Sequence, residues 1–314
     1  MIPFSVFALG DILIENHSVA KDQNTVPKTY AISKGGGLLN ALYNFGSYPA
    51  KIFFGTQVPD SEKPFLESCS FLKAPPHKDF EIIFLDRFPL DKIHSRLFVH
   101  KDYETEVSTG PILKPEKSSL KYFYLPKIDL LYLYDHNLDF WTSSNLADLN
   151  LYLDDIEIPY IFIDSRKPDL FIQKILPFLN LHKKSFIFWK MNEKELSDFS
   201  NLSTLKDFPF FFILNSLGRQ GSILWKTSLK NDDVILQNIV SLKSFDQAGF
   251  SPNNIGCGDS FSAHFIASFI SLKLSFIDSL KMANIAGNIQ ASQSHQMLPP
   301  VSIDEILLSL LNKY

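Results

Sequence analysis

The chain has 314 residues, 45% hydrophobic and 20% charged, which fits a globular protein with a large core and room for one large α/β domain or two modest ones. Its formal net charge is −4 and no basic stripe runs along it, so nucleic acid is not an expected partner. The two cysteines, Cys69 and Cys257, form no CxxC pair or Cys/His cluster, which argues against structural zinc and fits a reduced, cytoplasmic setting.

Met1 to Gly10 carries no basic leader and no long apolar run, so a signal peptide is not expected. Short β-rich apolar runs follow at Phe4–Leu9, Lys51–Phe54, Leu130–Tyr134, Tyr160–Ile163, Ser185–Trp189 and Phe210–Leu214. From about residue 129 they alternate with longer, more polar, helix-like stretches. Continuous apolar strands between helices predict a parallel sheet covered on both faces, joined by right-handed crossovers. Even the longest run, near Phe208–Leu214, falls far short of the roughly 18 residues of a membrane span. Residues 12–34 and 92–108 differ: they alternate β-branched and polar residues, as strands of a smaller, partly exposed sheet do. Such a sheet serves either as a lid over a site or as a surface hairpin without a role. Apolar residues at helical spacing then predict helices over 259–272 and 274–291. The 29 phenylalanines read as core filling. His94, His100, His136 and His264 are scattered, and His264 shares the phase of the apolar positions, as a core or edge histidine would. Cys257 reads as a buried, inert thiol.

The most informative stretch is Asn253-Asn254-Ile255-Gly256-Cys257-Gly258-Asp259, set directly before the first long helix. Glycines there allow a tight turn and close approach of backbone to a ligand. The unpaired N–H groups at a helix start, together with the helix dipole, make an anion site. Asp259 beside them is either a plain N-cap or a base that takes a hydroxyl proton during phosphoryl transfer.

Gly256-Cys257-Gly258-Asp259 resembles the GAGD core of the DTTGAGD signature of ribokinase-like (PfkB-type) sugar kinases. The resemblance implies that Asp259 is the catalytic base and that the Gly256, Cys257 and Gly258 amides form the anion hole. Asn253, Asn254 and Ile255 stand where that signature has Asp-Thr-Thr, and Cys257 replaces Ala, which puts metal or phosphate contacts in question.

Four further segments are similar to the same family, in the same order. Gly35-Gly36-Gly37-Leu38-Leu39-Asn40 resembles GGxxxN, implying that Gly35, Gly36 and Asn40 contact the acceptor; a simple turn and helix start reads equally well. Asp11, after the first strand, matches an acceptor-binding Asp, or is a loop residue. Asn192-Glu193-Lys194-Glu195 resembles NxxE, implying that Asn192 and Glu195 organise Mg²⁺; it also reads as a capped helix start. Ser216-Leu217-Gly218-Arg219-Gln220-Gly221 resembles TLGxxG, implying nucleotide contacts from Ser216, Gly218 and Gly221. Beyond these four, Ala283-Asn284-Ile285-Ala286 resembles the family's helix near the adenine pocket, implying that Asn284 lies beside the base; it also reads as a core residue of an ordinary helix.

The resemblance implies a three-layer α/β/α sandwich with a mostly parallel central sheet and a small β-lid, spanning residues 1–314 as one kinase domain. It also implies ATP and Mg²⁺, a sugar or sugar-phosphate acceptor, and a homodimer formed through the lid. Gly10-Asp11-Ile12-Leu13-Ile14-Glu15 and Asp164-Ser165-Arg166-Lys167 look similar to heptose-7-phosphate kinase domains. On that likeness Arg96, Arg166 and Lys167 hold a substrate phosphate; otherwise they are solvated surface charges. Asp135-His136-Asn137 stands where that subfamily carries a Lys, and no nucleotidyltransferase domain is expected after the kinase. The rival readings are a nucleoside or other small-alcohol kinase, and a non-catalytic homologue that binds sugar or nucleotide.

Overall fold

The computed structural model describes residues 1–10, 13–19, 28–35, 37–57, 81–88, 94–101, 104–109, 127–136, 141–153, 156–244, 256–292 and 301–311. In chain order the strands are β1 (Phe4–Leu9), β2 (Leu13–Val19), β3 (Lys28–Gly35), β4 (Ala50–Gln57), β5 (Glu81–Phe88), β6 (His94–Lys101) and β7 (Glu104–Thr109). They continue as β8 (Leu130–Asp135), β9 (Tyr160–Ser165), β10 (Phe186–Asn192), β11 (Phe211–Ser216), β12 (Ser222–Lys230) and β13 (Asp233–Leu242). The helices are α1 (Gly37–Phe45), α2 (Ser143–Leu153), α3 (Pro168–Leu181), α4 (Glu193–Ser197), α5 (Cys257–Ser271), α6 (Phe276–Ser292) and α7 (Ile303–Leu311).

Nine strands form one sheet in the order β13-β12-β11-β10-β9-β8-β1-β4-β5. From β11 through β5 every neighbouring pair is parallel, and β12 and β13 add an antiparallel hairpin at one edge. The expected apolar strands therefore line up as one sheet, covered on both faces. On one face Tyr132, Phe162, Phe188 and Phe212 pack against α1 and α5. On the other, Leu131, Ile161, Ile163 and Trp189 pack with Trp141 and the apolar side of α3. The phenylalanines do fill the core: Phe188 lies 5.2 Å from Phe212 and 5.7 Å from Phe269, which stacks on Phe276 at 5.0 Å.

Strand order reverses at β1, which lies between β8 and β4 although β8 comes much later in the chain. In open α/β sheets, ligands bind outside the carboxyl ends of the strands at such a switch. The carboxyl ends here are polar: Gly10 after β1, Asp135 on β8, Asp164 on β9, Lys190 and Asn192 on β10, and Ser216 on β11.

The two segments set apart by their alternation form a separate four-stranded sheet, ordered β3-β2-β6-β7. Two of its strands come between β1 and α1 and two between β5 and β8. Three strands escape the sequence reading, β5, β12 and β13. The last two are joined by a two-residue turn in which Asn231 (φ 51°) and Asp232 (φ 67°) are both left-handed, while Lys230 pairs with Asp233. That is the tight hairpin geometry which Asn and Asp tolerate.

One polar cluster is sealed within the α1–α5 layer. His264 is fully buried; its Nδ1 lies 2.9 Å from the Tyr48 hydroxyl and its Nε2 3.0 Å from the Val301 carbonyl. A carbonyl can only accept, so Nε2–H donates to it and Tyr48 donates to Nδ1. Burial pulls the His264 pKa down to about 3, against the weaker upward pull of the Val301 carbonyl. The ring is a neutral core histidine, as its helical phase implies.

Two predictions follow from these contacts. Gly221 has φ +108°, and a Cβ there would run into the Leu242 carbonyl oxygen. Gly221→Ala is expected to cost about 2 kcal/mol or more, read as a lowered denaturation midpoint with unchanged m-value. For His264 the folded pKa lies below the unfolded one, so its contribution is present above about pH 6.5 and is lost as pH falls towards 3. The stability gap between wild type and His264→Gln should therefore shift by about 3 kcal/mol against wild type on going from about pH 7 to about pH 4, measured by urea unfolding at each pH.

Candidate active site

The site is organised around the start of α5. Gly256 takes the N-cap position with φ 73°, a left-handed conformation that favours glycine, and among the described residues no side chain caps the helix. Asp259 is therefore not the cap. It lies in the first turn, half-buried, and its Oδ2 accepts a hydrogen bond from Asn40 Nδ2 at 3.0 Å. Asn40 comes from α1, so the carboxylate is held from another helix and not spent on its own helix end.

Gly37, the third glycine of the triplet, brings α1 into place. A Cβ there would strike the Tyr134 ring, and its amide donates to the Tyr134 hydroxyl at 3.1 Å. Gly35 ends β3 and pairs with Leu13; Gly36 and Asp11 lie outside the described residues, as do Asn253, Asn254 and Ile255. The triplet thus has a packing requirement at Gly37 that the motif comparison passed over.

Beneath the turn lies a pair that sequence reading missed. Lys190 and Asp164 are register partners on β10 and β9, and both project onto the α5 face of the sheet. Their ion pair measures 3.3 Å, with side-chain exposures of 13% and 6%. Ser262 Oγ, from α5, donates to the other Asp164 oxygen at 3.1 Å. A Cβ on Gly258 would lie only 3.2 Å from Lys190 Nζ, so the ammonium rests against the glycine turn. Burial pushes the Asp164 pKa up to about 6, against the pull of Lys190 and reinforced by Asp259 and Glu195. Burial also works against the Lys190 charge, but Asp164, Glu195 and Asp259 outweigh it and hold its pKa above the ordinary lysine value. The pair's only sequence signal was a polar residue at the carboxyl end of each of two apolar strands.

Asn192 and Glu195 form a reciprocal capping box: Asn192 Oδ1 accepts from the Glu195 amide at 2.8 Å, and Glu195 Oε2 accepts from the Asn192 amide at 2.7 Å. The capped-helix reading of this motif is therefore correct, and it leaves Glu195 near enough to act electrostatically on both Lys190 and Asp164. Magnesium keeps most of its waters and takes one or two carboxylates, so a half-buried Glu195 with Oε2 held by backbone fits a water-mediated ion. Among the described residues no group of three or more His, Cys, Asp or Glu forms a dedicated metal cage.

The nucleotide-side candidates also meet. Gly218 (φ +56°) and Gly221 bracket a turn closed by the Leu217 amide donating to the Gly221 carbonyl at 2.8 Å. Ser222, next in the chain and paired with Ser216, donates through Oγ to Asn284 Oδ1 at 2.9 Å. Asn284 is 6% exposed, and among the described residues its Nδ2 has no hydrogen-bond partner. It lies behind the turn, joined to it through Ser222. Cys257 is half-buried, its thiol pushed up to about 12 by burial and then by Asp259, which makes it a poor nucleophile.

Arg166 and Lys167 are exposed on the turn after β9, where the Arg166 amide donates to the Asp135 carbonyl at 3.3 Å. Arg96 sits on β6, paired with Glu15 and Thr109 in the smaller sheet. No described contact joins either arginine to Asp259.

No protein-family profile matches the chain, and no curated protein does. Solved structures do. The chain is similar to a nucleoside kinase from Burkholderia thailandensis solved in complex with inosine, at 12% identity and TM-score 0.64 over 98% of this chain and 97% of that one. A ribokinase from Cryptococcus neoformans in complex with ADP matches at 15% identity and TM-score 0.61, over 97% and 99% of the two chains. A phosphofructokinase-2 mutant from Escherichia coli matches at 14% identity and TM-score 0.60, over 99% of each. At such identities what is shared is the architecture, and that architecture is the ribokinase-like α/β fold.

Proposed function

We propose that the chain is a kinase that transfers the γ-phosphoryl group of ATP to a hydroxyl of a sugar or sugar phosphate. The observation that carries the reading is the charge arrangement at the start of α5. A helix N-terminus already favours anions, and here a nearly buried ammonium, Lys190, lies against the same turn. Asp164 already pairs with Lys190 at 3.3 Å, so attraction for a bound phosphate rests on the helix N-terminus, with the ammonium's remaining field beside it. Asp259, at the rim of that site and held by Asn40, is placed to act as a base.

In this reading the acceptor hydroxyl approaches Asp259, which takes its proton. The acceptor oxygen bonds to the γ-phosphorus as the bond to the bridging β-oxygen breaks, and ADP leaves. The turn amides at Gly256, Cys257 and Gly258, with Lys190, hold the charge on the moving group. Asp11, Gly35, Gly36 and Asn40 orient the acceptor. The turn from Ser216 to Gly221, backed by Asn284, takes the nucleotide. Mg²⁺, held through water near Asn192 and Glu195, neutralises phosphate charge when bound. Closure of the four-stranded sheet excludes water, which would otherwise compete as acceptor. The same sheet supplies the interface of a homodimer.

ADP release with Mg-ATP across a panel of sugars, sugar phosphates (a heptose 7-phosphate included) and nucleosides tests the reading and names the acceptor. At least one acceptor should give turnover. Asp259→Asn should lower it by about 10²–10⁴-fold with little change in nucleotide affinity. Lys190→Met should lower kcat by about 10²–10³-fold. Turnover that survives Asp259→Asn would refute the base assignment. Binding of a sugar or nucleotide without turnover on any acceptor would mark the chain as a non-catalytic binding homologue.

A further inference from the structure

The interface between α1 and α5 is polar at a place where aliphatic contact would suffice. Asn44 lies one helical turn after Asn40 on α1 and is 3% exposed. Its Nδ2 donates to the Asn40 carbonyl at 2.7 Å. Its Oδ1 accepts from the Val301 amide at 3.0 Å and from Ser260 Oγ at 3.2 Å. The amide orientation is forced, because a carbonyl can only accept and a backbone N–H can only donate. Three bonds from three chain segments leave this side chain no second arrangement.

The geometry of these bonds bears on the base. Ser260 is the residue after Asp259 on α5. The bonds Asn44–Ser260 and Asn40–Asp259 therefore tie neighbouring residues of α5 to successive turns of α1. A single bond between two helices acts as a pivot, whereas two such bonds one turn apart resist both sliding and rotation. The Val301 amide braces the upper bond from a third direction. A buried, fully bonded polar group of this kind specifies one packing where apolar side chains would permit several.

We infer that Asn44 is a positioning residue, which fixes the height of Asn40 against Asp259 and thereby the direction in which the carboxylate faces the acceptor hydroxyl. This rests on the kinase reading for its consequence, though not for its geometry. A carboxylate displaced by about 1 Å costs on the order of a hundredfold in rate and lets water compete for the phosphoryl group.

The test combines kinetics with a structure. Asn44→Leu, which keeps the volume and removes all three bonds, should lower kcat about ten- to a hundredfold. The KM for ATP should stay within about twofold, and the share of ATP lost to water should rise. Adding Asn40→Ala should slow the enzyme no further than Asn40→Ala does alone, because both changes act through one contact. Ser260→Ala, which removes one bond only, should shift the water share in the same direction and serves if Asn44→Leu does not fold. A crystal structure of the folded variant should show Asn40 Nδ2 and Asp259 Oδ2 beyond hydrogen-bond distance. Independent, multiplying losses with an unchanged water share would overturn the inference, as would an unmoved Asn40–Asp259 contact. Absence of turnover by wild type on every acceptor would remove the kinase reading instead, and the crystallographic distance would still decide the positioning claim.

Discussion

The candidate site depends on one register: Lys190 beside Asp164 on adjacent parallel strands. Burying two opposite charges is expensive, and an apolar pair of the same size would often stabilise the fold as well or better. The pair is retained where the N-terminus of α5 meets the sheet, with Ser262 occupying the second carboxylate oxygen. Its position at the end of two apolar strands keeps the lysine stem in the core and the ammonium at the rim of the crevice. The sheet thus delivers a fixed ion pair whose ammonium rests against the turn where the helix presents its positive end.

The rest of the architecture sorts the chemistry by strand. The acceptor candidates follow β1 and enter α1, at the switch point where β1 meets β8. The nucleotide candidates lie at the end of β11 and in the turn that leaves it, with Asn284 on α6. The first turn of α5 meets the acceptor side through the Asp259–Asn40 hydrogen bond. Most of α5 is buried, so its serines turn inward to Asp164, Asn44 and backbone carbonyls instead of to water.

Much of this was legible in the sequence. Apolar hexapeptides gave the parallel strands because a strand covered on both faces has no reason to alternate. Gly256 and Gly258 before an apolar helical repeat marked a tight turn, and Gly256 does open the buried helix from left-handed backbone. Asn192 and Glu195 were legible twice over, as a cap and as a motif, because the three-residue spacing serves both. Lys190 was not legible, because its meaning depends on which residue faces it across a strand gap, and no local pattern encodes register. Asn44 was hidden for a related reason: within an apolar helix it looks like an interruption until Ser260 and Val301 arrive from residues more than two hundred positions away. The β12–β13 hairpin hid behind polar alternation, with only Asn231 and Asp232 to mark its turn.

Gly258 and Lys190 also set limits on one another. A methyl group at 258 would lie 3.2 Å from the ammonium, so Lys190 would have to give by a few tenths of an ångström to admit it. An alanine at 258 would therefore be absorbed by the lysine and not by the backbone, and the strain would pass along the side chain into the 3.3 Å contact with Asp164.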